Sequence, residues 1–173
     1  SLGYWHMLNW GSYAFSIPFV KLQQITGTLS KQGLEDLAQA CIKLNKWSCA
    51  QDAYLAIYRN HHDVEGLAQL AHFQVRIAAK ESAMSTYASY FQTGGKNGEA
   101  ALEYAELLEE SGRDEAAVAS YEKSIELRPE TLPVQATAGI VRILVKQGHH
   151  LDAHERLLAF HESAGNAKGY LNT

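Results

Sequence analysis

Residues 98–129 read GEAALEYAELLEESGRDEAAVASYEKSIELRP, and this stretch decides the fold. Ala101, Tyr104, Ala105 and Leu108 recur at i, i+3, i+4 and i+7, the spacing of one helical face. Ser111-Gly112 then interrupts the helix, because glycine accepts the left-handed conformation that ends one. A second helix is expected to turn Ala117, Tyr121 and Ser124 inward, and Pro129 closes the unit. Alanine at the crossing points lets two antiparallel helices approach, where a larger side chain would hold them apart. The stretch predicts a helical hairpin.

Working outward, the same columns recur. Ala50, Ala83, Ala117 and Ala153 are separated by 33, 34 and 36 residues. Ala38, Ala71, Ala105 and Val141 follow these intervals, and so do Tyr54, Tyr87, Tyr121 and Leu157. Self-similarity at this period indicates stacked hairpins, each burying its apolar face against its neighbours, and it favours binding over catalysis. The repeats span roughly 31–63, 64–97, 98–131 and 134–167. Pro133 suits the first turn of a helix and marks the start of the fourth.

These residues resemble the tetratricopeptide repeat family. Its pattern has a large apolar residue, a Leu–Gly/Ala pair, an aromatic, an alanine, a second aromatic, another alanine and a proline. The first repeat matches with Leu34, Leu37, Ala38, Trp47, Ala50, Tyr54 and Ile57. The second matches with Leu67, Leu70, Ala71, Ala83, Tyr87 and Tyr90, with Gly95 in place of the proline. Ile140, Val141, Ala153, Leu157 and Phe160 carry a weaker fourth match. The resemblance implies an all-α, right-handed superhelix of antiparallel helical hairpins over residues 31–167. Residues 1–30 then form an aromatic capping or juxtamembrane segment, and 168–173 a tail. The glycine-rich SAGNAKGYLNT end is expected to fray or to begin a further helix.

The family also implies where a partner binds: the first helix of each hairpin lines a concave groove that receives a peptide. The groove positions here are Gln69, His72 and Arg76 in the second repeat, Glu99, Glu103, Glu106 and Glu110 in the third, and Arg142 with Lys146 in the fourth. Two readings of the four glutamates stand open. They form a docking strip for a basic peptide or protein surface, or they are neutralised internally by Arg76, Arg142 and Lys146. The carboxylate clamp of chaperone-binding members needs groove cations, whereas the matching positions include Glu35, Asp36 and Gln39, Ala68, Gln69 and His72, and Leu102, Glu103 and Glu106.

Composition bounds the function further. The net charge of -4 argues against nucleic-acid partners, which demand a clustered basic surface. Residues 98–133 alone carry a net -7, so the third repeat holds the acidity. No phosphate loop or nucleophile motif is present, and the carboxylates fall on a solvated helix face, so no catalytic residue is assigned. His150, His154 and His161 share a helix but lack the convergent ligands of a metal site, and no metal or cofactor is expected. Cys41 and Cys49 are read as two buried thiols, with a short-loop disulfide in an oxidising compartment as the alternative.

Trp5, Trp10, Tyr13, Phe15 and Phe19 load the N-terminal segment with aromatic surface. It is too interrupted for a membrane span of about 18 apolar residues. The expected function is a non-catalytic protein–protein interaction scaffold acting in complex assembly. The alternatives are a membrane-tethered periplasmic domain of a bacterial envelope assembly or secretion system, with residues 1–20 near the membrane, and a self-associating scaffold. Cytoplasmic and periplasmic membrane-associated locations both remain open.

Overall fold

A computed structural model of the chain describes residues 29–129, 131 and 133–169. Eight α-helices and no strand occur among the described residues. They fall into two compact units, one ending at Gly95 and one beginning at Lys96. The aromatic stretch Trp5–Phe19 lies outside the described residues.

The first unit contains α1 (Lys31–Lys43), α2 (Trp47–His61), α3 (Glu65–Arg76) and α4 (Lys80–Gln92). Helix α1 starts at Ser30, whose Oγ accepts the Gly33 amide at 3.1 Å and satisfies one of the free donors of the first turn. Leu34, Leu37, Ala38 and Cys41 of α1 meet Ala50, Ala53 and Ile57 of α2 in a core that Leu70 and Phe73 of α3 extend. Each large aliphatic side chain buried there stabilises by about 1.5–3 kcal/mol. Trp47 is 41% exposed and rests obliquely against Phe73, so it lies on the surface and not in the core. In α4, Tyr90 is fully buried and its hydroxyl donates to Glu65 at 2.6 Å. Gly95 lies directly against the Tyr90 ring, where an added Cβ would fall 2.3 Å from Cζ. Gly95 thus leaves room for the buried Tyr90 ring.

Cys41 and Cys49 are joined by a disulfide, with Cα atoms 5.8 Å apart. This corrects the expectation of two free thiols. Sequence spacing indicated that both were buried, but only the hairpin geometry brings the end of α1 against the start of α2.

The second unit contains α5 (Gly98–Glu110), α6 (Asp114–Glu126), α7 (Val134–Lys146) and α8 (His150–Gly169). Asn97 caps α5 by accepting the amides of Glu99 and Ala100 at 2.9 and 3.1 Å. Ala101, Ala105 and Leu108 are buried, as are Ala117, Tyr121 and Ser124. The hydroxyl of Ser120 donates to the Ala101 carbonyl at 2.9 Å, joining α6 to α5. Tyr121 in turn lies on Gly139 of α7, where a Cβ would fall 2.3 Å from its Cζ.

One expectation for the fourth repeat is corrected. Leu157 is 40% exposed, and Leu151 and Leu158 are exposed with it, because α8 packs on α7 but no described element covers its outer side. Helix α8 continues through residues 163–169 of the SAGNAKGYLNT stretch, and residues 170–173 lie outside the described residues.

One backbone device recurs in all four hairpins. Asn45, Ala78, Gly112 and Gly148 have φ of 53, 59, 72 and 81°, in the left-handed region, at intervals of 33, 34 and 36 residues. Each follows the first helix of its hairpin. The next amide reaches back five residues: Lys46 to Cys41, Ala79 to Gln74, Arg113 to Leu108 and His149 to Leu144, at 2.8–2.9 Å. This is the Schellman closure, which satisfies the carbonyls that a helix end leaves open.

Candidate functional site

In the second unit α5 and α7 enclose an open cleft of about 720 Å³. Its walls are Glu106, Glu109 and Glu110 from α5, and Arg142, Ile143, Val145 and Lys146 from α7. Residues one helical turn apart share a face, which explains why Glu106 and Glu110 on one side, and Arg142 and Lys146 on the other, point into the same space.

The charges are not paired as the groove spacing suggests. Arg142 donates through Nε and Nη2 to both oxygens of Glu109 at 2.9 Å, a bidentate fork. Tyr121 donates its hydroxyl to the same carboxylate at 2.6 Å. Lys146 binds Asp114 at 3.0 and 2.7 Å. Neither cation is bonded to Glu106 or Glu110.

Titration follows from this geometry. The fork from Arg142, helped by the Tyr121 bond, holds the Glu109 carboxyl below the usual glutamate range, against the opposing effect of burial. Burial pushes the Glu106 carboxyl up, and repulsion from Glu103, Glu110 and Glu109 adds to this while Arg142 offsets part of it. Tyr121 is raised well above an ordinary phenol, first by burial and then by its bond to Glu109. Two carboxylates three residues apart therefore behave oppositely, one satisfied and one frustrated.

Of the predicted groove residues, Glu106, Glu110, Arg142 and Lys146 come together in this cleft. Glu103 is half-buried and Glu99 exposed on the same helix, α5. Gln69, His72 and Arg76 belong to the first unit. There Gln69 donates through Nε2 to Glu35 at 3.3 Å, while its buried Oε1 has no partner among the described residues. His72 and Arg76 are exposed. Tyr54 nearby accepts from Gln39 at 3.3 Å, and burial raises its phenol. No group of three potential metal ligands occurs among the described residues.

Glu109, Tyr121 and Asp114 are the organising residues that the groove spacing overlooked. A signal for them exists. Glu109 and Arg142, Asp114 and Lys146, and Glu122 and Arg156 are 33, 32 and 34 residues apart, close to the repeat period. An acid and a base displaced by about one period occupy neighbouring hairpins, so opposite charges at that offset are candidates for pairing.

No family profile and no curated protein matches the chain. Solved structures do. One crystal structure of MamA superimposes with a TM-score of 0.68 over 95% of this chain and 96% of its own, at 15% identity. The chain folds like MamA. A second MamA crystal structure gives a TM-score of 0.70, covering 95% of this chain and 90% of its own, also at 15% identity. MamA 41-end from Desulfovibrio magneticus RS-1 gives 0.61, with 92% and 89% covered, at 13% identity. Likeness to MamA at such identity is a likeness of architecture: an all-α helical repeat of tetratricopeptide type.

Proposed function

We propose that this chain is a tetratricopeptide-repeat protein and a non-catalytic scaffold. The cleft between α5 and α7 receives a basic side chain of a protein or peptide partner. Hairpin repeats characteristically offer concave surfaces of this kind, and the architecture shared with MamA supports that general role. The observation that carries the reading is the state of Glu106. It stands among like charges in an open cleft, while Arg142 and Lys146 are held by Glu109 and Asp114. A lysine or arginine from a partner would relieve that repulsion. Ile143 and Val145 supply apolar wall for its aliphatic stem.

Glu99, Glu103 and Glu110 extend the acidic face along α5, where they would steer a basic segment toward the cleft. Gln69, His72 and Arg76 form the corresponding face of α3 in the first unit.

Affinity capture from the producing cells, comparing wild type with Glu106→Lys, tests the reading by mass spectrometry. The Glu106 side chain is partly desolvated by the cleft but belongs to no buried core, so the substitution leaves the core intact. A partner captured by wild type and lost by the variant is expected. Equal capture by both would move the interface away from the cleft.

A further inference from the structure

The first hairpin differs from its siblings at two equivalent positions. The residue that accepts the Schellman amide is Cys41, then Gln74, Leu108 and Leu144 in the later hairpins. The residue third in the second helix is Cys49, then Ser82, Ala116 and Asp152. The turn brings these positions together, and in the first hairpin their Cα atoms lie 5.8 Å apart. That distance is within the range a disulfide spans without backbone movement. Cys41 is fully buried and Cys49 nearly so, in a core with Leu34, Leu37, Ile57 and Phe73.

We propose that the Cys41–Cys49 bond is a permanent structural staple, and that the chain therefore matures and works in an oxidising compartment. Reducing compartments keep such cysteines as thiols, and a bond of this kind persists where thiol-reducing systems are absent. Packing alone explains two small apolar residues in a core. It does not explain why both fall on positions that the turn sets at bonding distance.

Formation is a two-electron exchange. One cysteine thiolate attacks the disulfide of a disulfide-donating oxidoreductase, giving a mixed disulfide and releasing one donor thiol. The second thiolate then attacks the bound cysteine sulfur and releases the other. Two protein thiols are oxidised, the donor disulfide is reduced to a dithiol, and the two protons the protein thiols lose end on the donor sulfurs. Once α1 and α2 close, both sulfurs are inaccessible to an attacking thiolate. The bond is accordingly a fixture and not a switch.

The test uses the full chain in the cells that make it. Acid quenching traps the thiol state, free thiols are blocked with N-ethylmaleimide, and the denatured protein is then reduced and labelled with iodoacetamide. Mass spectrometry is expected to find iodoacetamide on both Cys41 and Cys49. N-ethylmaleimide on both would overturn the proposal. A second measurement compares melting of the purified protein before and after reduction in denaturant. Opening a loop this short is expected to lower the melting temperature by about 5–10 °C. A melt unmoved by reduction would also overturn the staple.

Discussion

Replacing Ala78 by glycine should stabilise this protein, although it removes a methyl group and touches no core residue. Ala78 has φ 59° in the turn between α3 and α4, at the position where the third and fourth hairpins carry glycine. Its Cβ in the left-handed region costs roughly 1–2 kcal/mol against the following carbonyl. Glycine abolishes that cost but increases the freedom of the unfolded chain, which offsets about 0.4–1 kcal/mol. The difference leaves a gain of about 0.5–1 kcal/mol, or roughly 1–4 °C in melting temperature for a chain of this size.

Gly112→Ala is the mirror experiment. Nothing lies within 4 Å of a Cβ built on Gly112, so only its φ of 72° opposes the substitution. It should destabilise by about the same 0.5–1 kcal/mol. Both variants keep the Schellman bonds, Ala79 to Gln74 and Arg113 to Leu108, so the comparison isolates the dihedral. Urea titrations followed by far-ultraviolet circular dichroism measure both changes. A lower midpoint for Ala78→Gly, or an unchanged one for Gly112→Ala, would refute the reasoning.

Gly139→Ala should destabilise, even though alanine is favoured over glycine within a helix by about 1 kcal/mol. Its Cβ would meet the buried Tyr121 ring at 2.3 Å, and the ring is tethered through its hydroxyl to Glu109, so overpacking of about 1–3 kcal/mol prevails. A raised melting temperature would show that the ring yields. The paired and the frustrated glutamate should give opposite pH signatures. Glu109 titrates below its unfolded value, so its bond to Arg142 stabilises above about pH 4.5 and is lost as pH falls through the lower folded value. Arg142→Ala should therefore lower the melt modestly at pH 7, by no more than about 1 kcal/mol for so exposed a base, and the gap should close in acid. Glu106 titrates above its unfolded value, so it weakens the fold as pH rises through the folded value. Glu106→Gln should melt at or above wild type at neutral pH, with the difference vanishing in acid. Melting curves from pH 3 to 8 measure both.

The hairpins were legible because the period is carried by residues that have no freedom. Ala38, Ala71, Ala105, Ala50, Ala83 and Ala117 are all completely buried, and any larger side chain would separate the helices. The turns were legible only where glycine marked them. Asn45 tolerates the left-handed region without announcing it, and Ala78 contradicts the rule that would have located it. Leu157 illustrates a different limit. Its column is buried in the earlier repeats, but burial depends on what lies beyond the last hairpin, which is not a property of the residue. The cleft was half legible. Helical spacing collects Glu99, Glu103, Glu106 and Glu110 on one face, yet it overlooks Glu109, whose partner comes from the next hairpin.

Among the described residues, the three ion pairs that join the two hairpins of the second unit run in one direction, with Glu109, Asp114 and Glu122 on the earlier hairpin and Arg142, Lys146 and Arg156 on the later one. Repeat proteins owe their evolutionary plasticity to modules that can be duplicated, deleted or exchanged without loss of fit. This seam has surrendered that freedom. A duplicated third hairpin would present acids to acids, and a transplanted fourth would carry its bases to surfaces that do not need them. Recombination or design that cuts between these two hairpins must carry the charges on both sides.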